Sequence, residues 1–152
     1  MATTTATLNL TSSDLTSDRL ALNTSKSCYK AGTTIGLDQT TGLTKVYLTA
    51  TTQIDLFTVM DTTNTAENGK FYIANLSTDD TEYVIISIGD AVIGRLYAGD
   101  FMWMPYSPKL IYSSDIELTP SVATGMWVEY MMIHNFANIN PVAIDTRIYA
   151  DE

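Results

Sequence analysis

The chain has 152 residues, with 8 Lys and Arg against 17 Asp and Glu, for a formal net charge of −9. So few and scattered bases are a poor match to a phosphate backbone or an anionic membrane, which call for clustered Lys and Arg, and no partnership with nucleic acid or membrane is expected. A single cysteine, Cys28, allows no internal disulfide, and a single histidine, His134, removes the multi-histidine metal sites, so no cofactor is expected.

From Met1 to Gly42 the chain is rich in Thr and Ser, with two leucine pairs, Leu8 with Leu10 and Leu20 with Leu22. Each pair has the period-2 spacing of a strand with one apolar face. Two leucines in a short strand offset little backbone entropy, so such a segment needs a surface to lie on. Residues 1–42 are therefore read as an extended arm. The opening Met1-Ala2-Thr3-Thr4-Thr5 lacks the charged and apolar stretches of a signal peptide, and no apolar run reaches the roughly 20 residues that span a bilayer.

Residues 43–134 turn β-branched and aromatic, and predict an all-β core. Strands are expected at Lys45–Thr49, Gln53–Met60, Lys70–Leu76, Glu82–Ile88, Val92–Tyr97, Phe101–Met104, Leu110–Tyr112 and Met126–His134. Asn68-Gly69, Asp79-Asp80, Gly89-Asp90, Gly99-Asp100, Pro105, Pro108, Pro120 and Gly125 punctuate them. Gly89-Asp90 marks a tight hairpin between Glu82 and Tyr97. No stretch combines helical spacing with a cap, so helix content should be low. Many short antiparallel strands with a few long loops predict an antiparallel, jelly-roll-like β-sandwich. In residues 135–152 the alternation of Val142, Ile144 and Ile148 predicts a tail strand over 142–149, closing the sheet or pairing with a partner's edge.

Chemistry-bearing residues are sparse. Tyr130 and His134 share a strand face with Val128 and Met132, and no nucleophile or orienting group accompanies the histidine. Cys28 lacks the flanking motif of a reactive thiol. Asp79, Asp80 and Glu82 supply oxygen donors of the type calcium takes, at a spacing typical of a solvated turn. Asn9, Asn23 and Asn75 fit the glycosylation sequon, which chance produces readily in a chain so rich in Thr and Ser. No hydrolase elbow, phosphate loop or metalloprotease motif occurs, so no catalysis is expected. The most informative cluster is Phe101-Met102-Trp103-Met104-Pro105-Tyr106, with Tyr112 and Trp127 beyond it. Alternation gives this strand one core face, and the other suits a protein interface better than a sugar platform.

Four segments stand out together: Phe71-Tyr72-Ile73-Ala74-Asn75-Leu76-Ser77, the hairpin Tyr83 to Gly89, the run Leu96-Tyr97-Ala98-Gly99-Asp100-Phe101 into Pro105, and Trp127-Val128-Glu129-Tyr130. In this order they resemble small structural proteins of tailed-bacteriophage virions. The Thr/Ser-rich opening is similar to the arms of such proteins. The resemblance implies a jelly-roll-like sandwich, commonly a homotrimer, assembled in the host cytoplasm into the virion, where it binds the major capsid protein or another virion protein or builds a tail appendage. The expected role is a head decoration, or cement, protein that clamps capsid subunits through its arm. Candidate interface residues are Leu8, Leu10, Leu20, Leu22, Phe101, Trp103, Tyr106, Ile144 and Ile148. A tail-fibre, receptor or carbohydrate-binding sandwich that uses exposed aromatics is the alternative.

Overall fold

A computed structural model describes residues 3–15, 17–59, 67–107, 115–136 and 139–141. Every regular element among them is a strand: β1 (Thr5–Ser12), β2 (Leu20–Ser27), β3 (Gln39–Thr40), β4 (Thr44–Leu48), β5 (Ile54–Val59), β6 (Gly69–Asn75), β7 (Tyr83–Ile88), β8 (Ala91–Tyr97), β9 (Phe101–Tyr106), β10 (Ile116–Pro120), β11 (Met126–His134) and β12 (Ile139–Pro141). The expected strands at Leu110–Tyr112 and 142–149, with Tyr112, Ile144 and Ile148, lie outside the described residues.

Two antiparallel sheets form a β-sandwich. One runs β3-β11-β6-β9, with β4 also paired to β11, and the other runs β12-β5-β10-β7-β8. The pairing is nested: β7 with β8, β6 with β9, β5 with β10 and β4 with β11, as in one long hairpin rolled up on itself. The pairs β6–β11 and β7–β10 then join the hairpin's halves into sheets.

Apolar residues at alternate positions meet between the sheets. Phe71, Ile73, Val128, Tyr130 and Met132 face Leu56, Phe57, Val84, Ile86, Ile116 and Leu118 in one cluster. Phe57 reaches across edge-on to Phe71 at 5.8 Å and to Tyr130 at 5.2 Å, the T-shaped geometry that aromatic rings favour. Consecutive Leu56 and Phe57 are both buried because the β5–β10 register shifts there, and a bulge turns an extra side chain inward. Asn75 couples the layers by polar contacts. Its Nδ2 donates to the Leu96 carbonyl at 3.0 Å and its Oδ1 accepts from the Ser77 N–H at 2.9 Å, with the side chain fully buried. That burial is at odds with a surface glycan acceptor at this sequon.

The Gly89-Asp90 turn has positive φ at both residues, 52° and 66°, the signature of a tight two-residue hairpin loop. Three local readings change. Gly69, taken as turn punctuation, opens β6, paired with His134 and Tyr106, and its bare Cα leaves room for the Phe136 ring, which a Cβ would meet at 2.9 Å. Pro105 does not end its strand: β9 lies on a sheet edge and continues to Tyr106. Pro120 ends the unforeseen strand β10, where it pairs only toward β7 because β5 reaches no further than Leu118.

The first 42 residues divide in two. β1 and β2 form a hairpin in full register from Thr5–Ser27 to Ser12–Leu20, and pair only with each other among the described residues. Residues 28–42 instead strap onto the sandwich. The Cys28 carbonyl accepts from Leu37 N–H, Asn68 Nδ2 donates to the Tyr29 carbonyl, β3 pairs with Ile133 and His134, and Thr41 exchanges two hydrogen bonds with Met132. An ion pair of 2.6 Å between Lys30 and Asp38 closes the strap. Of these 42 residues, the hairpin is therefore the part that joins neither sheet of the sandwich among the described residues.

Candidate interaction surface

Directly opposed residues of an antiparallel pair point to the same face. Leu10 opposes Leu22, Leu8 opposes Thr24, Ser12 opposes Leu20 and Ala6 opposes Lys26, so all four leucines lie on one side of the ribbon. The other side carries Thr5, Thr7, Asn9, Thr11, Ala21, Asn23, Ser25 and Ser27, with Thr7 and Ser25 hydroxyls 3.0 Å apart. Leu8, Leu10, Leu20 and Leu22 are all exposed, Leu10 at 48%. Their alternation is legible in the sequence, and it gives an amphipathic ribbon whose apolar side is open.

The ribbon's base meets the outer face of the β3-β11-β6-β9 sheet. Ala6 and Met131 pack against the buried trio Cys28, Leu37 and Ile133, and the Cys28 N–H donates to the Thr4 carbonyl at 2.8 Å. On that sheet Trp103 lies opposite Tyr72, which lies opposite Met131, while Phe101 lies opposite Ala74. Phe101 is 65% exposed and Trp103 38%. A groove of about 610 Å³ runs between ribbon and sheet, lined by Leu8, Tyr72, Phe101, Trp103 and Met131 with Lys26 as its one charged side chain. Three of the interface residues picked from sequence, Leu8, Phe101 and Trp103, are thus brought together although the chain separates them widely.

Tyr106 is a correction. It shares parity with Met102 and Met104, points into the sandwich and is only 3% exposed, with its ring edge-on to Phe136 at 6.0 Å. Burial, with Asp115 nearby, raises its phenol pKa. It is a core residue and supplies no interface. Tyr72 and Met131 were missed. The signal for Tyr72 was its position on a strand whose opposite-parity neighbours Phe71 and Ile73 are both core residues.

The remaining candidates take structural places. His134 is buried, stacks on Phe136 at 5.2 Å and accepts the Phe136 N–H at Nδ1 over 3.1 Å. Burial lowers its pKa, with the charge of Asp38 pulling the other way. Asp79 accepts from both the N–H and the hydroxyl of Thr81, and Glu82 from the Ser77 hydroxyl, so two of the turn's three carboxylates are engaged in local hydrogen bonds. Among the described residues, no group of three His, Cys, Asp or Glu is arranged to hold a metal ion.

On the second sheet the buried Glu117 accepts the Asp90 N–H at 3.1 Å, and its pKa is raised by burial, then by its neighbours Asp90, Asp55 and Asp115. The outer face of that sheet is also partly apolar: Val92, Ile93 and Tyr97 are exposed, the Tyr83 and Tyr97 rings lie 5.4 Å apart, and the Arg95 guanidinium sits over Tyr83. The chain matches no protein-family model, no curated protein and no solved structure.

Proposed function

We propose that the chain is a structural protein of a bacteriophage virion, a capsid decoration (cement) protein. The sandwich seats on the shell, and the N-terminal hairpin reaches out to hold the major capsid protein or another virion protein. The observation that carries this reading is the projecting ribbon with four exposed leucines on one face, continuous at its base with Phe101 and Trp103. Exposed apolar patches of this kind mark association surfaces. The nested order β4-β11-β6-β9 over β5-β10-β7-β8 supports a jelly roll, an architecture that viral capsid domains use.

Antibody labelling and mass spectrometry of purified virus particles from the source culture test the reading. The chain should appear in intact particles at a fixed ratio to the shell protein. A chain lacking residues 1–27 keeps the strap and sandwich, and should fold yet be missing from particles. Absence of the full chain from particles, or full occupancy by the shortened one, overturns the proposal.

A sugar-binding or receptor role is the second reading, favoured by the exposed Phe101 and Trp103 beside the groove and by the tilted Tyr47–Trp127 pair at 4.9 Å. Lectins also use jelly rolls. Ligand sites orient their ligands with a few placed polar groups, and this groove offers chiefly threonine hydroxyls and Lys26. Saccharide-dependent quenching of tryptophan fluorescence would favour this reading over the first.

A further inference from the structure

A two-stranded ribbon is marginal in water unless a further layer covers its apolar face. The parent sandwich covers only the base of this one, through Ala6, and leaves Leu10, Leu20 and Leu22 open. We propose that the leucine face of the hairpin is covered by the same face of a second copy of this chain, so that two ribbons stack into a small four-stranded sandwich. The proposal rests on the assembly reading and assigns the two sides of the ribbon separately: the leucine side to a second copy, the hydroxyl and amide side to the shell protein.

Three features favour a second copy. The face is self-complementary, because Leu10 and Leu22 sit directly opposite each other in the half of the ribbon nearer its turn, beyond the base that the sandwich covers. A twofold axis through that point sets leucine on leucine, as symmetric contacts require, at the sheet spacing of about 10 Å that such side chains fill. Charge selects the same place. Residues 1–27 hold two acids, Asp14 and Asp18, and two bases, Arg19 and Lys26, so the segment is neutral and the whole net charge of −9 falls on the rest of the chain. Two acidic molecules meet with least repulsion through their neutral segments. Finally, the contact leaves the hydroxyl and amide side of each ribbon outward, free for hydrogen bonding to a polar shell.

Sedimentation velocity on the full chain over a concentration series, with Leu10→Glu and Leu10→Lys beside the wild type, tests the contact. Leu10 is exposed, so both variants should keep the wild-type circular dichroism and, at protein concentrations low enough for the wild type to be monomeric, its denaturation midpoint. The wild type should self-associate, and each variant alone should weaken association by about tenfold or more. An equimolar mixture of the two should regain it, because opposite charges then face across the axis. A monomeric wild type, association untouched by either substitution, or two weakened variants that fail to rescue each other would each overturn the proposal. Loss with Trp103→Ser but not with Leu10→Glu would do the same, and would move the contact to the sheet. Particle labelling is scored separately: association without incorporation sinks the virion reading and leaves this contact, while incorporation of a monomeric chain does the reverse.

Discussion

The hairpin and the sandwich are built from the same kind of strand, with apolar side chains at alternate positions, and they end in opposite states. In β6 and β11 the alternate residues Phe71, Ile73, Val128 and Met132 are sealed from solvent, whereas in β1 and β2 the leucines stay open. Propensity does not separate them, since the β1–β2 ladder keeps full register along its length and the β5–β10 ladder is broken by a bulge. What separates them is a second layer. A strand's apolar face becomes a core only when another sheet supplies the opposite wall, and without one the same pattern becomes a surface for association.

The comparison can be broken most directly at the core. Phe57→Ala removes the ring wedged between Phe71 and Tyr130 and should cost about 3–5 kcal/mol in urea denaturation. A loss of under about 1 kcal/mol would mean that the sandwich is far looser than this packing implies. Next in size, Asn75→Ala strands the Leu96 carbonyl and the Ser77 N–H, and should cost about 1–3 kcal/mol by the same measurement.

A smaller effect should follow pH. Burial holds the His134 imidazole below its ordinary pKa of 6.5, so the unfolded chain takes up the proton first as pH falls. Stability present above pH 6.5 is therefore lost below it, until the folded imidazole also protonates. Glu117, raised above 4.5, acts in the opposite sense, its stabilisation being present below 4.5 and lost as pH rises through its folded value. The test is thus a difference: His134→Asn, which can still accept the Phe136 N–H, should show a smaller drop in denaturation midpoint between about pH 7 and about pH 5 than the wild type. Equal drops would remove His134 as the cause. Smallest of all, Leu10→Ala in the hairpin should change stability at low protein concentration by no more than about 0.5 kcal/mol, as an exposed site does. A cost near that of Phe57→Ala would show that the ribbon's face is already covered within one chain.

Much of the sandwich was legible in the sequence, and the failures have identifiable causes. The β7–β8 hairpin could be read because Gly89-Asp90 is a turn signal that needs no tertiary help. The inward face of β9 was legible at Met102 and Met104 and lost at Tyr106, because Pro105 looked like a stop, whereas an edge strand tolerates a residue without an N–H. β10 was hidden for a related reason: it ends in Pro120 and carries Glu117 amid Ile116 and Leu118, and only its place beside β5 and β7 makes it a strand. The interaction surface was half legible. Alternation exposes the leucines and Phe101 with Trp103 as one-sided, but the meeting of Leu8 with Phe101 and Trp103 at one groove depends on the strap of residues 28–42, whose anchors at Asn68, Met132, Ile133 and His134 lie far along the chain.

The nested pairing carries a consequence for the time course of folding. The hairpin closes between residues close in sequence, so it can form as soon as Ser27 has left the ribosome. β4 has no ladder partner until β11 is made, because Val46 pairs with Val128 and Lys45 with Glu129. Contacts so distant in sequence form slowly, and chains that await them leave apolar strands uncovered. During synthesis the leucine segments are therefore out while the sandwich that carries them is still an open chain, and a lone ribbon, marginal in water, offers its apolar face to any layer that will cover it.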